Sequence, residues 1–155
     1  MSIIYKENTM DFYGFYTGKI FDAYKYLGAH VEEKGVTFST FAPSASRITL
    51  IGDFNDWQEW EMNKVSDGNF WECYVPQAKA GQMYKYKIYD RNGNPVDHCD
   101  PYGFGMELRP GSASIIRDMS KYKFKDSQWL QSRSDCRKKT IEHLRNSFWF
   151  FSQAF

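Results

Sequence analysis

The chain has 155 residues, enough for one domain of ordinary size and too few for a (β/α)8 barrel, which takes about 200 or more. Its 20 Lys and Arg stand against 19 Asp and Glu, so the overall charge makes no case for nucleic acid or a membrane surface as partner. Aromatic residues, at 19%, are the outlier; they suit strands and a bulky core and leave enough over for a stacking surface.

Cys73, Cys99 and Cys136 are odd in number and widely spaced, with neither a zinc-ligand spacing nor a disulfide framework, which suits a reducing cytoplasm. The N-terminus lacks the basic start and apolar run of a signal peptide, and no stretch reaches the ~18 apolar residues of a membrane span. The expectation is a soluble cytoplasmic domain. His30 and His98 have no metal partners at a recognised spacing, so neither a metal nor a cofactor is expected.

In chain order, Phe12, Phe15, Tyr16, Ile20, Phe21, Tyr24 and Leu27 recur at intervals of three and four. This predicts a short packing helix, strongest over residues 19–27 and ended by Gly28. Short strands separated by turn residues follow: 36–42, stopped by Pro43, then 47–51, then a ragged edge strand over 59–65. Residues 70–75 put Trp71, Cys73 and Val75 on one face. Residues 83–89 point Tyr84, Tyr86 and Ile88 one way and Met83, Lys85, Lys87 and Tyr89 the other. Residues 66–69 and 90–93 read as turns, 96–103 as a loop and 114–117 as a last strand. Strands at this spacing predict an all-β fold, an immunoglobulin-like antiparallel β-sandwich. Residues 1–27 are then an N-terminal helical extension, 28–120 the sandwich, and 121–155 a linker with an irregular tail.

Within that series, residues 48–57 begin as a strand, break at Gly52 and end on Trp57 through a turn rich in Asp and Asn. A pyranose ring has an apolar face and a hydroxyl rim, so a sugar site wants an indole for stacking with amides and carboxylates beside it. Phe54, Asn55, Asp56 and Trp57 supply those types. The same residues also read as caps on a hydrophobic core, with Asp53 and Asn55 making Asx turns.

Several motifs fall together in order: Leu27-Gly28-Ala29-His30, Gly35-Val36, Phe41-Ala42-Pro43, the 52–57 turn, Trp71-Glu72, Gly81 with Tyr84-Lys85-Tyr86, Asp100-Pro101-Tyr102 and Arg109-Pro110. Over residues 26–129 the chain resembles the N-terminal domain of bacterial 1,4-alpha-glucan (glycogen) branching enzymes, a carbohydrate-binding module of family 48 on a glycoside hydrolase family 13 enzyme. The resemblance implies a sandwich standing before a catalytic barrel. The family's catalytic carboxylates belong to that barrel, and none of its motifs occurs here, so no catalytic residue is assigned. Asp53, Asp56, Asp97 and Asp100 each lie in a turn signal where Asx capping accounts for them. By the same resemblance, α-1,4/α-1,6-glucan would contact Trp57, Lys85 and a polar residue near Ser114, with Asn55 beside the indole. The second aromatic of the family site has no counterpart in Asn94-Pro95-Val96-Asp97. The implied glucan affinity is therefore weak. The alternative is a scaffold domain whose task is to pack on the barrel or another partner without binding sugar.

After Trp129 the family pattern is lost. A basic cluster, Arg137-Lys138-Lys139, precedes a terminus ending in Phe148-Trp149-Phe150-Phe151 and Phe155. The expectation is a fragment put out of register by a frameshift or an early stop, with an aromatic tail through which the chain self-associates. A rival reading makes residues 137–155 an amphipathic helix that docks on a partner or a membrane surface, although the aromatic run lacks helical spacing.

Overall fold

The computed structural model describes residues 10–120, 123 and 125–136, and the chain divides into two units after Ser120. Among the described residues of the first unit, nine strands form two antiparallel sheets. They are β1 (Gly28–Glu32), β2 (Gly35–Phe41), β3 (Arg47–Gly52), β4 (Trp60–Glu61), β5 (Asn63–Val65), β6 (Phe70–Val75), β7 (Met83–Tyr89), β8 (Pro95–His98) and β9 (Ser114–Ile115). The first sheet runs β1-β2-β6-β5; the second runs β4-β3-β7-β8, with β9 also paired to β7. This is the antiparallel β-sandwich that the alternation predicts.

Alternation sets the core. Val36 and Phe38 from β2 and Trp71, Cys73 and Val75 from β6 meet Ile48 and Leu50 from β3 and Tyr84 and Tyr86 from β7. The Phe38 ring lies 5.0 Å from Tyr84 and 5.5 Å from Phe54, joining the two sheets. Burial pushes the Cys73 thiol up to about 12, so it stays an uncharged core side chain.

Among the described residues of the first unit, four elements differ from the sequence expectation. The 59–65 edge strand is two strands in different sheets, because the chain crosses between layers at Met62, which is buried in the core. The expected loop after residue 96 opens with β8, which pairs Ile88 with Val96 and Lys87 with Asp97. Strand β1, a hairpin partner of β2, carried no separate sequence signal. The N-terminal helix α1 (Phe12–Tyr16) stands ahead of residues 19–27, where only a 3-10 turn at Ala23–Lys25 forms. The reason is local: Asp11 caps α1 by accepting from the Gly14 N–H, and Gly18, at φ 66°, ends it in a left-handed turn closed by Lys19 N–H to Gly14 O at 2.8 Å.

Phe12 and Phe15 of α1 lie on the outer face of the first sheet, against Phe41 and Phe70. In the second unit, where a linker was expected, a ten-residue helix α2 (Ser127–Cys136) forms. The expectations for residues 137–155, whether frameshift tail, self-association surface or amphipathic helix, lie outside the described residues. Among the described residues no helix is long and apolar enough to cross a membrane, and no cluster of three or more His, Cys, Asp or Glu is placed to hold a metal.

Candidate functional site

The site forms where β3 ends against β7, in the pairing Gly52 with Tyr84 and Ile51 with Lys85. Only glycine fits at position 52, since a Cβ there would sit 2.5 Å from the Met83 carbonyl oxygen and 2.7 Å from the Phe54 ring. The chain then makes a 3-10 turn over Asp53–Asn55. Phe54 turns inward to Phe38, and Asp56 (φ 52°) and Trp57 (φ 58°) both take left-handed backbone. Two such residues in succession cost about 1–2 kcal/mol each, strain of the sort found at binding sites. The turn is held by Trp57 N–H to Gly52 O at 3.0 Å and by Asn55, whose Oδ1 accepts from Gly52 N–H at 3.0 Å while its Nδ2 donates to the Gln58 carbonyl at 2.5 Å.

The turn delivers an indole to the surface: Trp57 is 40% exposed. Its Nε1–H donates to Asp53 Oδ1 at 3.1 Å, and the other oxygen of that carboxylate accepts from the Met83 N–H at 2.7 Å. Two residues along β7 from Met83, on the same outer face, half-buried Lys85 donates through Nζ to Ser112 Oγ at 2.9 Å. Trp57 and Lys85 are thus brought to one end of the second sheet, each clasped by a neighbour.

The other two expected residues are placed differently. Asn55 spends its amide on the backbone of its own turn. Ser114 is fully buried, its Oγ accepting from the Asp100 N–H at 2.8 Å, so it offers a ligand no surface. The exposed hydroxyl near the last strand is that of Ser112, which sequence spacing alone could not separate from Ser114. The second aromatic is absent from β8, where Pro95, Val96 and Asp97 are exposed. Tyr89 shares the outer face with Lys85, but its ring lies under the Arg47 guanidinium at 4.7 Å and its hydroxyl donates to Glu59 at 2.7 Å. That hydrogen bond holds the Glu59 carboxyl below its ordinary range, against the opposing effect of burial. Arg47 also pairs with Glu61, and Lys87 with Glu59 at 3.8 Å, so this face is a closed ionic net.

Behind the outer face sits Asp100, whose Asp-Pro-Tyr sequence signals only a turn cap. One oxygen does cap the turn, accepting from the Tyr102 N–H at 2.8 Å. The other accepts from the hydroxyls of Tyr84 at 2.6 Å and Tyr86 at 3.1 Å. Burial drives the Asp100 carboxyl up while these hydrogen bonds pull it down, with burial prevailing. Burial also pushes both tyrosine hydroxyls well up, so they stay donors.

The fold is a two-sheet antiparallel sandwich that presents an exposed indole and a lysine at one end of its second sheet. The chain belongs to the carbohydrate-binding module 48 family: residues 26–103 match its model, described as Carbohydrate-binding module 48 (Isoamylase N-terminal domain). Among curated proteins it is similar to the 1,4-alpha-glucan branching enzyme GlgB 1 of Clostridium perfringens, 37% identical over 135 residues, 83% of this chain and 20% of that one. It is likewise similar to the GlgB of Francisella tularensis subsp. mediasiatica, 40% identical over 132 residues, 80% of this chain and 21% of that one. The chain thus spans about a fifth of the length of these relatives. Among solved structures, a pullulanase from Anoxybacillus sp. LM18-11 complexed with maltotetraose aligns at a TM-score of 0.55 and 24% identity, covering 64% of this chain and 14% of that one. A putative alpha amylase from Salmonella typhimurium aligns at 0.53 and 19%, covering 67% and 17%. These structural likenesses establish the fold alone.

Proposed function

We propose that this chain is an α-glucan-binding accessory module of a 1,4-alpha-glucan branching enzyme, without catalytic groups of its own, holding glucan on Trp57 and Lys85. The observation that carries the reading is the exposed indole fixed at the end of β3, with Lys85 and Ser112 on the same end of the sheet. The indole supplies an apolar face for a pyranose ring, and the lysine ammonium and serine hydroxyl supply donors for its hydroxyls. Ser112 takes the polar role that the family resemblance assigns near Ser114, and Asn55 supports the turn from behind. A single stacking platform contributes about 1–3 kcal/mol by analogy with other aromatic stacking, so affinity for a short glucan lies in the millimolar range or weaker.

Electrophoresis of the purified chain through gels with and without glycogen, beside Trp57→Ala, tests this. Retardation that the variant loses is the expected result. Equal migration of the two proteins in the glycogen gel would overturn it. One observation favours a second reading, a sandwich that packs on a catalytic barrel or other partner without holding sugar: β8 carries no second aromatic. A chain that glycogen does not retard at all would turn the argument to that reading.

A further inference from the structure

We infer that Asp53 is a positioning residue for glucan binding, fixing the Trp57 indole as a flat stacking face and taking its N–H out of ligand recognition. The inference rests on the glucan reading above and adds to it the residue that sets the platform's orientation. Three features carry it. The Asp53 carboxylate is bidentate between elements, one oxygen on Trp57 Nε1 at 3.1 Å and the other on the backbone N–H of Met83 at 2.7 Å. Met83 opens β7, so the ring is referenced to the same strand that presents Lys85 two residues on. The ring is 40% exposed on a left-handed turn, and its Nε1–H bond to Asp53 ties that exposed ring to β7.

Two consequences follow. The hydrogen bond is made in the free protein, so glucan need not order the ring, which removes a cost of about 0.5–1.5 kcal/mol for immobilising one side chain. And because the indole N–H already has its acceptor, donors to the sugar hydroxyls come from Lys85 and Ser112, while Trp57 contributes only its face.

The test is a double-mutant cycle in the full chain, with retardation by glycogen as the binding readout and thermal melting as the control on folding. Asp53→Ala is expected to weaken retention about two- to tenfold, the fold-change equivalent of the ordering cost. The Trp57 indole N–H cross-peak in a 15N-labelled sample, identified by its absence from Trp57→Phe, is expected to exchange faster with water in Asp53→Ala. In a Trp57→Phe background, where the ring has no N–H to tether, Asp53→Ala should have no further effect on retention. An equal loss in both backgrounds would mean that Asp53 acts only through the turn and β7, and would overturn the inference. So would parent-like retention by Asp53→Ala while Trp57→Ala is not retained, an outcome that leaves the glucan reading standing. Parent-like retention by Trp57→Ala removes that reading and the inference with it. Asp53→Asn, which keeps one acceptor oxygen, carries the same cycle with a smaller loss if the alanine variant does not fold.

Discussion

At the scale of single residues, Asp100 shows how a turn signal can hide a buried one. Its carboxylate is 3% exposed and serves three donors: the hydroxyls of Tyr84 and Tyr86 and the backbone N–H of Tyr102. Removing it in Asp100→Ala leaves those hydroxyls buried without an acceptor, at about 1–3 kcal/mol each. The pH dependence has a definite sign. The folded carboxyl titrates above its unfolded counterpart, so folding favours the protonated form, and the contribution is full below the unfolded value and lost as pH rises through the folded one. Urea unfolding from about pH 4 to pH 8 should show the parent losing stability relative to Asp100→Asn as pH increases. A difference that widens in the parent's favour with rising pH would contradict the assignment. The Asp-Pro-Tyr sequence declared the turn, but not the two tyrosine hydroxyls, which reach Asp100 from a strand 14 and 16 residues earlier. Ser112 and Ser114 pose the same difficulty: two serines two residues apart on an irregular approach to a strand, told apart only by which one the sheet buries.

At the scale of elements, β6 separates what the N-terminal segment covers from what it leaves open. Phe70, Glu72 and Tyr74 share the strand's outer face, yet Phe70 is enclosed by Phe12, Phe15 and Phe41 at ring distances of 4.8, 5.3 and 4.9 Å, while Tyr74 is exposed. Phe70→Ala should therefore cost about 3–5 kcal/mol, the range of an enclosed phenylalanine, and Tyr74→Ala under about 1 kcal/mol. Similar losses in denaturant unfolding would mean that α1 does not close over that end of the strand. The same contrast explains what the sequence could reveal. The middle strands β2, β6 and β7 turn one face to the core, so burial writes alternation into their residues, while β3, buried from Ile48 to Gly52, shows as an unbroken run of β-branched and aliphatic residues. Strands β1 and β8 lie at sheet edges, and β8 is exposed along its length, so pairing to a neighbour makes them strands without leaving a pattern. The three-and-four spacing over residues 12–27 marks an apolar face only in part: Gly18 ends the helix early, Ile20 and Leu27 still pack with Phe70 from an irregular chain, and Phe21 and Tyr24 lie exposed.

At the scale of the whole molecule, charge distinguishes a neutral ligand from an anionic one. Lys85 stands on the proposed binding face, where its ammonium has the chemistry to donate to a sugar hydroxyl or a phosphate. The totals, 20 basic against 19 acidic residues, provide no general field to gather polyanions. Nearby on the same outer face, Arg47 and Lys87 are already engaged by Glu59 and Glu61, so among the described residues this face offers an anionic chain no second unpaired cation beside Lys85. Stacking on Trp57 and hydrogen bonds from Lys85 and Ser112 to hydroxyls carry little net Coulomb energy between protein and ligand, so salt has little to screen. Raising NaCl from about 0.1 M to about 1 M shortens the screening length from about 10 Å to about 3 Å and should leave retention by glycogen unchanged within about twofold. Binding to a polyanion through several cations would instead fall by orders of magnitude over that range. A steep loss of retention with salt would move the ligand from neutral glucan to an anionic polymer, with Lys85 as its contact and Trp57 reduced to packing.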